Sequence, residues 1–244
     1  MLLAAALAGC GSTGGADRPE TTATLELDGP RAGVHAGIVS AIARDYDEAE
    51  GVSLRLRRRP ATVRDLRTGR ADFAVLDLNE LVGRPGVVAV MAIVEQPLLA
   101  YTTRADGITA PWARRYPRPV ARWDLRPPSR ARHVEDAGVP PYPELVLATA
   151  RETLRDTPSV VRATVAALAR GYRFALDDPD SAAQDLGTRD AAAQLARLDT
   201  AFLGDEDRPG VLDTAQIAAF ARWAGGPVAV EPRYARAAAS ADQG

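Results

Sequence analysis

The chain reads as an α/β protein, and three observations predict it. Over residues 22–93, segments whose apolar residues alternate or run unbroken are separated by stretches of helical spacing. The C-terminal third is patterned as helix almost throughout. Between the two lies a stretch dense enough in proline to interrupt both patterns.

From Thr22 to Leu27 the residues alternate, with Ala23, Leu25 and Leu27 on one face and Thr22, Thr24 and Glu26 on the other, which is a strand pattern. Asp28-Gly29-Pro30 breaks it, and from Val34 to Tyr46 the apolar positions Val34, Ile38, Ala41 and Ile42 recur at helical spacing. Val52 to Leu56 forms a second strand, with Arg55 and Arg57 pointing away from Leu54 and Leu56. A short helical piece follows around Val63 to Thr68, then two continuously apolar strands, Phe73 to Leu76 and Val87 to Ile93. This alternation predicts a parallel sheet covered by helices.

In the C-terminal third, Thr157-Pro158 is an N-cap with proline at the first helical position, and Val161, Val165, Leu168 and Tyr172 form one face until Asp177-Asp178-Pro179 ends it. A further helix is expected from about Arg189 to Leu203, with Leu195, Leu198 and Phe202 on its buried side. Asp213 with Gln216 makes a capping box before Ile217, Phe220 and Trp223. The intervening Arg104 to Pro141 holds seven prolines and eight arginines, so a largely irregular connection with one or two helical turns is expected there.

Composition excludes several chemistries. All 30 basic residues are arginine, which removes a P-loop lysine, a Schiff-base lysine and a Ser-x-x-Lys nucleophile. Cys10 is the single cysteine, and His35 and His133 are the only imidazoles, too few for a multi-histidine zinc site. No metal or cofactor is expected. A net charge of -2 argues against nucleic acid as the main partner. The hydrophobic content of 46% supports a sizeable core, and no segment beyond the N-terminus is apolar enough to span a bilayer.

Leu7-Ala8-Gly9-Cys10 resembles a bacterial lipobox, directly after an apolar stretch and before the Gly-Ser-Thr-Gly-Gly of residues 11–15. The resemblance implies cleavage before Cys10 and lipidation of its thiol, hence an extracytoplasmic protein held to the membrane. Met1-Leu2-Leu3 supplies no basic n-region, which suggests a start codon upstream.

Several segments, in order, resemble the NMT1/THI5-like substrate-binding lipoproteins of ABC importers, a group of thiamine-pyrimidine precursor binders. They are Leu27-Asp28 with Val34-His35-Ala36-Gly37-Ile38, Gly69 to Asp77, Val90-Met91-Ala92-Ile93 with Gln96-Pro97, Tyr142 to Leu147, and the long helix after Thr157. The resemblance implies a periplasmic-binding-protein-like type II α/β clamp. Arg31-Ala32 stands where many relatives carry Pro-Asn, and Arg104 to Pro141 stands where relatives place most of a second lobe, so that lobe is expected to be incomplete. The expected division is 1–9 signal peptide, 10–21 flexible tether, 22–103 first lobe, 104–141 remnant of the second lobe, and 142–244 hinge return and C-terminal helices.

The ligand site of such a clamp lies where strands end and helices begin. That places Asp28, Arg31 and His35 of the first loop, Asp77 and Asn79 at a strand end, and Gln96, Tyr142 and Glu144 on the hinge side. Tyr142 would stack on a planar heterocycle while Asp77, Asn79 and Glu144 bond in its plane. Each has a plainer alternative: His35 capping its own helix, Arg31 a solvated charge, Asp77 a helix cap, Tyr142 hinge packing. Glu144 directly precedes Leu145-Val146-Leu147 and needs a partner if buried. The reading is therefore a monomeric solute-binding lipoprotein that captures a small heterocycle, such as a pyrimidine thiamine precursor, and delivers it to ABC permease subunits without chemistry. The alternatives are an interaction scaffold that has lost its cleft, or a pyrimidine-synthesis enzyme of the THI5 type, whose pyridoxal phosphate needs a lysine this chain lacks.

Overall fold

The structure is a computed structural model that describes residues 21–57, 59–101, 121–122, 132–133, 138–202 and 208–241. The expected lipobox at Cys10 and its tether lie outside the described residues. A five-stranded sheet forms the centre, built from β1 (Thr21–Glu26), β2 (Val52–Arg57), β3 (Phe73–Asp77), β4 (Val87–Val94) and β8 (Leu145–Ala150) in the order β2-β1-β3-β8-β4. A second sheet joins β5 (Leu99–Tyr101) to β6 (Ala121–Arg122) and β7 (Arg132–His133) in the order β6-β5-β7, all antiparallel. Of the proline-rich stretch the structure describes β6, β7 and residues 138–141, and the expected helical turns lie outside the described residues.

The main sheet is mixed, not wholly parallel. β1 pairs in parallel with β2 and β3, whereas β8 enters antiparallel between β3 and β4. Its direction follows from connectivity. The chain leaves the C-terminal end of β4 for the second sheet, and it re-enters the first sheet from that same end. The outer side of β4 is covered: Ala89 bridges Val230, with the Ala89 N–H donating to Ala229 and the Glu231 N–H donating to Ala89. All eight residues of β4 are buried, which accounts for its unbroken apolar sequence.

Helices cover both faces. On one side lie α1 (Ala36–Ala43), α2 (Tyr46–Ala49), α5 (Pro158–Asp177), α6 (Pro179–Leu186), α7 (Ala191–Leu198) and α9 (Arg233–Ala241). Here Leu25, Ile38, Val165, Leu168, Leu195 and Leu198 share one core with Ala23 and Leu27. On the other side lie α3 (Val63–Arg67) and α8 (Thr214–Ala224), where Leu66, Leu76, Val146, Ile217 and Phe220 form a second core. The short α4 (Arg151–Asp156) follows β8.

The expected helix from Val34 to Tyr46 is divided into a 3-10 turn over Gly33–His35, then α1, then α2, with a break at Asp45, which sits at φ 56°. Thr157 stands at the N-cap of α5, but its hydroxyl donates to the Thr153 carbonyl, because α4 places that carbonyl in reach. Asp213 caps α8 as expected, accepting from the N–H groups of Ala215 and Gln216. Glu26 departs from its expected polar face: its side chain is 0% exposed, covered by Arg59, whose Nε donates to it at 2.7 Å.

Candidate functional site

The first loop begins where β1 ends. Leu27 is held by the Ala61 N–H, which donates to its carbonyl at 2.7 Å, and the chain then turns through Asp28 into the 3-10 turn. His35 closes that turn twice. Its N–H donates to the Ala32 carbonyl at 2.9 Å, and its Nδ1 accepts from the Ala32 N–H at 3.1 Å. Since Nδ1 accepts, Nε2 carries the proton and donates to Asp28 Oδ1 at 2.6 Å. His35 is 1% exposed and Asp28 13% exposed, so the imidazole is structural while the Asp28 carboxylate reaches the surface.

Three distant residues brace this loop from behind. The Gly33 N–H donates to Gln194 Oε1 at 2.6 Å, and a Cβ at Gly33 would lie 2.8 Å from Gln194 Cβ. The Tyr172 hydroxyl donates to the Val34 carbonyl at 2.7 Å. Its ring covers Gly37, where a Cβ would lie 2.3 Å from the ring carbon Cγ. At Gly171 a Cβ would meet the Gly37 carbonyl oxygen at 2.1 Å, so glycines let α1 and α5 cross at backbone contact. Burial, reinforced by the nearby Asp28 charge, pushes the Tyr172 phenol well above its ordinary value, so it stays a donor.

At the end of β3, Asp77 Oδ1 accepts from the Asn79 N–H at 2.9 Å and starts the 3-10 turn Leu78–Leu81. Asp77 is therefore a cap, as its plainer reading has it. Asn79 Oδ1 is buried and has no hydrogen-bond partner among the described residues. Burial raises the carboxyl of the adjacent Glu80, with Arg84 opposing the shift and the Asp28 charge adding to it. Asp28 and the Asp77–Glu80 turn thus meet at the same edge of the sheet.

The hinge side is arranged differently. Tyr142 is 0% exposed and stacked on Phe220, with ring centroids 4.1 Å apart at 16°. Its ring belongs to the second core and is not presented for stacking on a ligand. Glu144 is also 0% exposed: its carboxylate accepts the Leu98 N–H, and its carbonyl accepts the Leu78 N–H at 2.9 Å. It ties the outgoing crossover to the returning one. Gln96 is exposed at the outgoing crossover and makes no hydrogen bond to the described residues. Arg31 is exposed at the tip of the first loop and lines a pocket toward β2 rather than the Asp28–Asn79 edge.

The sheet edge therefore brings together Asp28, His35, Asp77 and Asn79, while Tyr142 and Glu144 are turned into the protein. Sequence reasoning missed Gln194 altogether, and it treated Tyr172 as core only. The signal available for both was the pair of glycines, Gly33 and Gly37, flanking the only early histidine.

Comparison with known proteins bears on this geometry. The NMT1/THI5-like family profile matches residues 126–182, which takes in β8, α4, α5 and part of α6 but not the first loop. Among solved structures, a protein from Bordetella bronchiseptica RB50 superposes with a TM-score of 0.63 at 12% identity, covering 93% of this chain and 100% of that one. A Candida albicans protein described as having the generic periplasmic binding protein fold gives 0.55 at 12% identity, over 89% of this chain and 94% of that one. The ligand-binding component of an ABC-type import system from Staphylococcus aureus, solved with zinc bound, gives 0.56 at 10% identity, over 90% and 99%. The chain resembles the NMT1/THI5-like family over residues 126–182 and has the periplasmic binding protein fold. Its main sheet and flanking helices superpose on that fold along most of the described chain. No curated protein matches the chain.

Proposed function

We propose that this protein is the solute-binding component of an ABC-type importer. The observation that carries the reading is the double crossover at one end of the sheet. The chain leaves after β4 and returns into β8 there, so the first loop, the Asp77–Glu80 turn and both hinge segments share that end. Two sheets joined through two adjacent segments make a clamp, and the joined edge is where a solute is enclosed. The Glu144 to Leu98 bond holds the two segments in register at that point.

The solute we assign is a small heterocycle such as a pyrimidine thiamine precursor. Asp28 offers an acceptor, and the buried Asn79 Oδ1 is an acceptor in need of a donor, a pattern suited to a ring amine or ring N–H. The protein would be exported, lipidated at Cys10 and held at the outer face of a membrane beside its permease. Among the described residues no helix is long and apolar enough to cross a membrane, so attachment would rest on the lipid. Calorimetric titration of the purified protein with a panel of aminopyrimidines tests the solute assignment. Saturable binding weakened by Asp28→Ala and Asn79→Ala is expected, and the absence of binding by every member would refute it. Membrane fractionation of a Cys10→Ser variant tests attachment: release into the soluble fraction is expected, and unchanged membrane association would refute it.

A further inference from the structure

We propose that a pocket on the outer side of the first loop is a second ligand site, built for a small organic carboxylate with a short apolar or aromatic body. The pocket opens where β1 and β2 end side by side, since Glu26 of β1 is in register with Arg57 of β2. Its volume is about 690 Å³, within the range of about 300–1,000 Å³ typical of small-molecule sites. Leu27, Ile42 and Leu56 supply apolar lining, Arg31, Arg57 and Arg59 supply the charge, and no carboxylate among the described residues lines it.

The three arginines are not equivalent. Arg59 is committed, donating from Nε to Glu26 at 2.7 Å and from a terminal nitrogen to Asp65 at 2.9 Å. It fixes the wall and leaves the binding to its neighbours. Arg57 approaches Glu26 only to 3.9 Å, beyond hydrogen-bond range, and its side chain is 44% exposed. Arg31 is exposed and makes no ion pair with the described residues. Two guanidinium groups with donors to spare on one pocket match a planar carboxylate, which arginine engages through paired N–H bonds.

The apolar lining decides the rest of the ligand. Ile42 and Leu56 are only partly buried, packed against the core on one side and facing the pocket on the other. Gly29 adds open space, with no atom within 4 Å of the position a Cβ would take. A bare inorganic anion would leave these surfaces wet, whereas a ring or short chain would cover them. The sheet-edge residues Asp28, His35, Asp77 and Asn79 do not line it. It therefore stands whether or not the sheet edge binds a heterocycle.

Methyl-resolved NMR of the full chain, titrated with benzoate, tests the proposal. Benzyl alcohol supplies the ring without the charge, and acetate supplies the charge without the ring. Benzoate is expected to shift the methyl signals of Leu27, Ile42 and Leu56 saturably, with both controls binding at least about five-fold more weakly. The double change Arg31→Gln with Arg57→Gln is expected to weaken benzoate about ten-fold or more. Gly29→Leu, which fills the pocket without touching a charge, is expected to block it. Signals of the opposite core, such as Ile217, report that each variant is folded. Absence of benzoate shifts at these methyls, an equal response to benzyl alcohol, or undiminished binding by the folded arginine variant would overturn the site.

Discussion

The first loop and the hinge each withdraw a polar group from water, and they do so for different ends. In the loop, His35 is buried to join Asp28 to the Ala32 backbone, and the carboxylate it holds stays partly open to solvent. At the hinge, the carboxylate of Glu144 is itself buried and takes a backbone N–H from the other crossing segment. The loop uses burial to orient a group outward. The hinge uses burial to join two pieces of chain. A polar residue beside an apolar run can thus mark a ligand contact or a structural tie, and only its partner tells which.

The largest effect is expected where the loop is braced from behind. Gly171→Val would put a branched side chain where even a Cβ lies 2.1 Å from the Gly37 carbonyl oxygen, forcing α1 and α5 apart. A loss of about 3 kcal/mol is expected, read as a fall in Tm of very roughly 6–12 °C. Glu144→Gln comes next, since it keeps the shape but exchanges a charged acceptor for a weaker amide. A cost of about 2 kcal/mol in denaturant titrations is expected, and no loss would show that the hinge tie carries little energy.

Tyr172→Phe sharpens the contrast by removing one hydroxyl and leaving the ring over Gly37. The Val34 carbonyl then loses its buried donor, and a cost of about 1 kcal/mol in the same titrations is expected. The smallest effect concerns Asp65, whose carboxyl is held below the ordinary range first by the Thr62 hydroxyl and then by Arg59 and Arg70. A lowered folded pKa means its stabilisation is present above the unfolded value of about 3.9 and is lost as pH falls through the folded one. The stability gap between the native chain and Asp65→Asn is therefore expected to be constant at neutral pH and to close below about pH 4. A gap that does not narrow on acidification would contradict the ion-pair network.

Much of the fold was legible locally. The alternation of Ala23, Leu25 and Leu27, the unbroken Phe73 to Leu76, and the Asp213 cap all depend on neighbours within a few residues. The direction of β8 was not legible, because it depends on which end of the sheet the chain leaves and re-enters. Glu26 followed a strand period correctly but was covered by Arg59, an arginine from a loop whose path the period does not encode. The site shows the same division. Asp77 and His35 act within their own turns, whereas Gly33 meets Gln194 across 161 residues, and the glycine marks a close approach without naming its partner.

In the function proposed above, the sheet edge holding Asp28 and Asn79 captures a small solute. The most direct measurement is calorimetric titration of the purified chain with the aminopyrimidine panel, run on the native protein and on Asp28→Ala, Asn79→Ala and Arg57→Gln. Saturable one-to-one binding by at least one member is expected, weakened about five-fold or more by the first two changes and unaltered by the third. Binding that ignores Asp28 and Asn79, or no binding by any member, would contradict it.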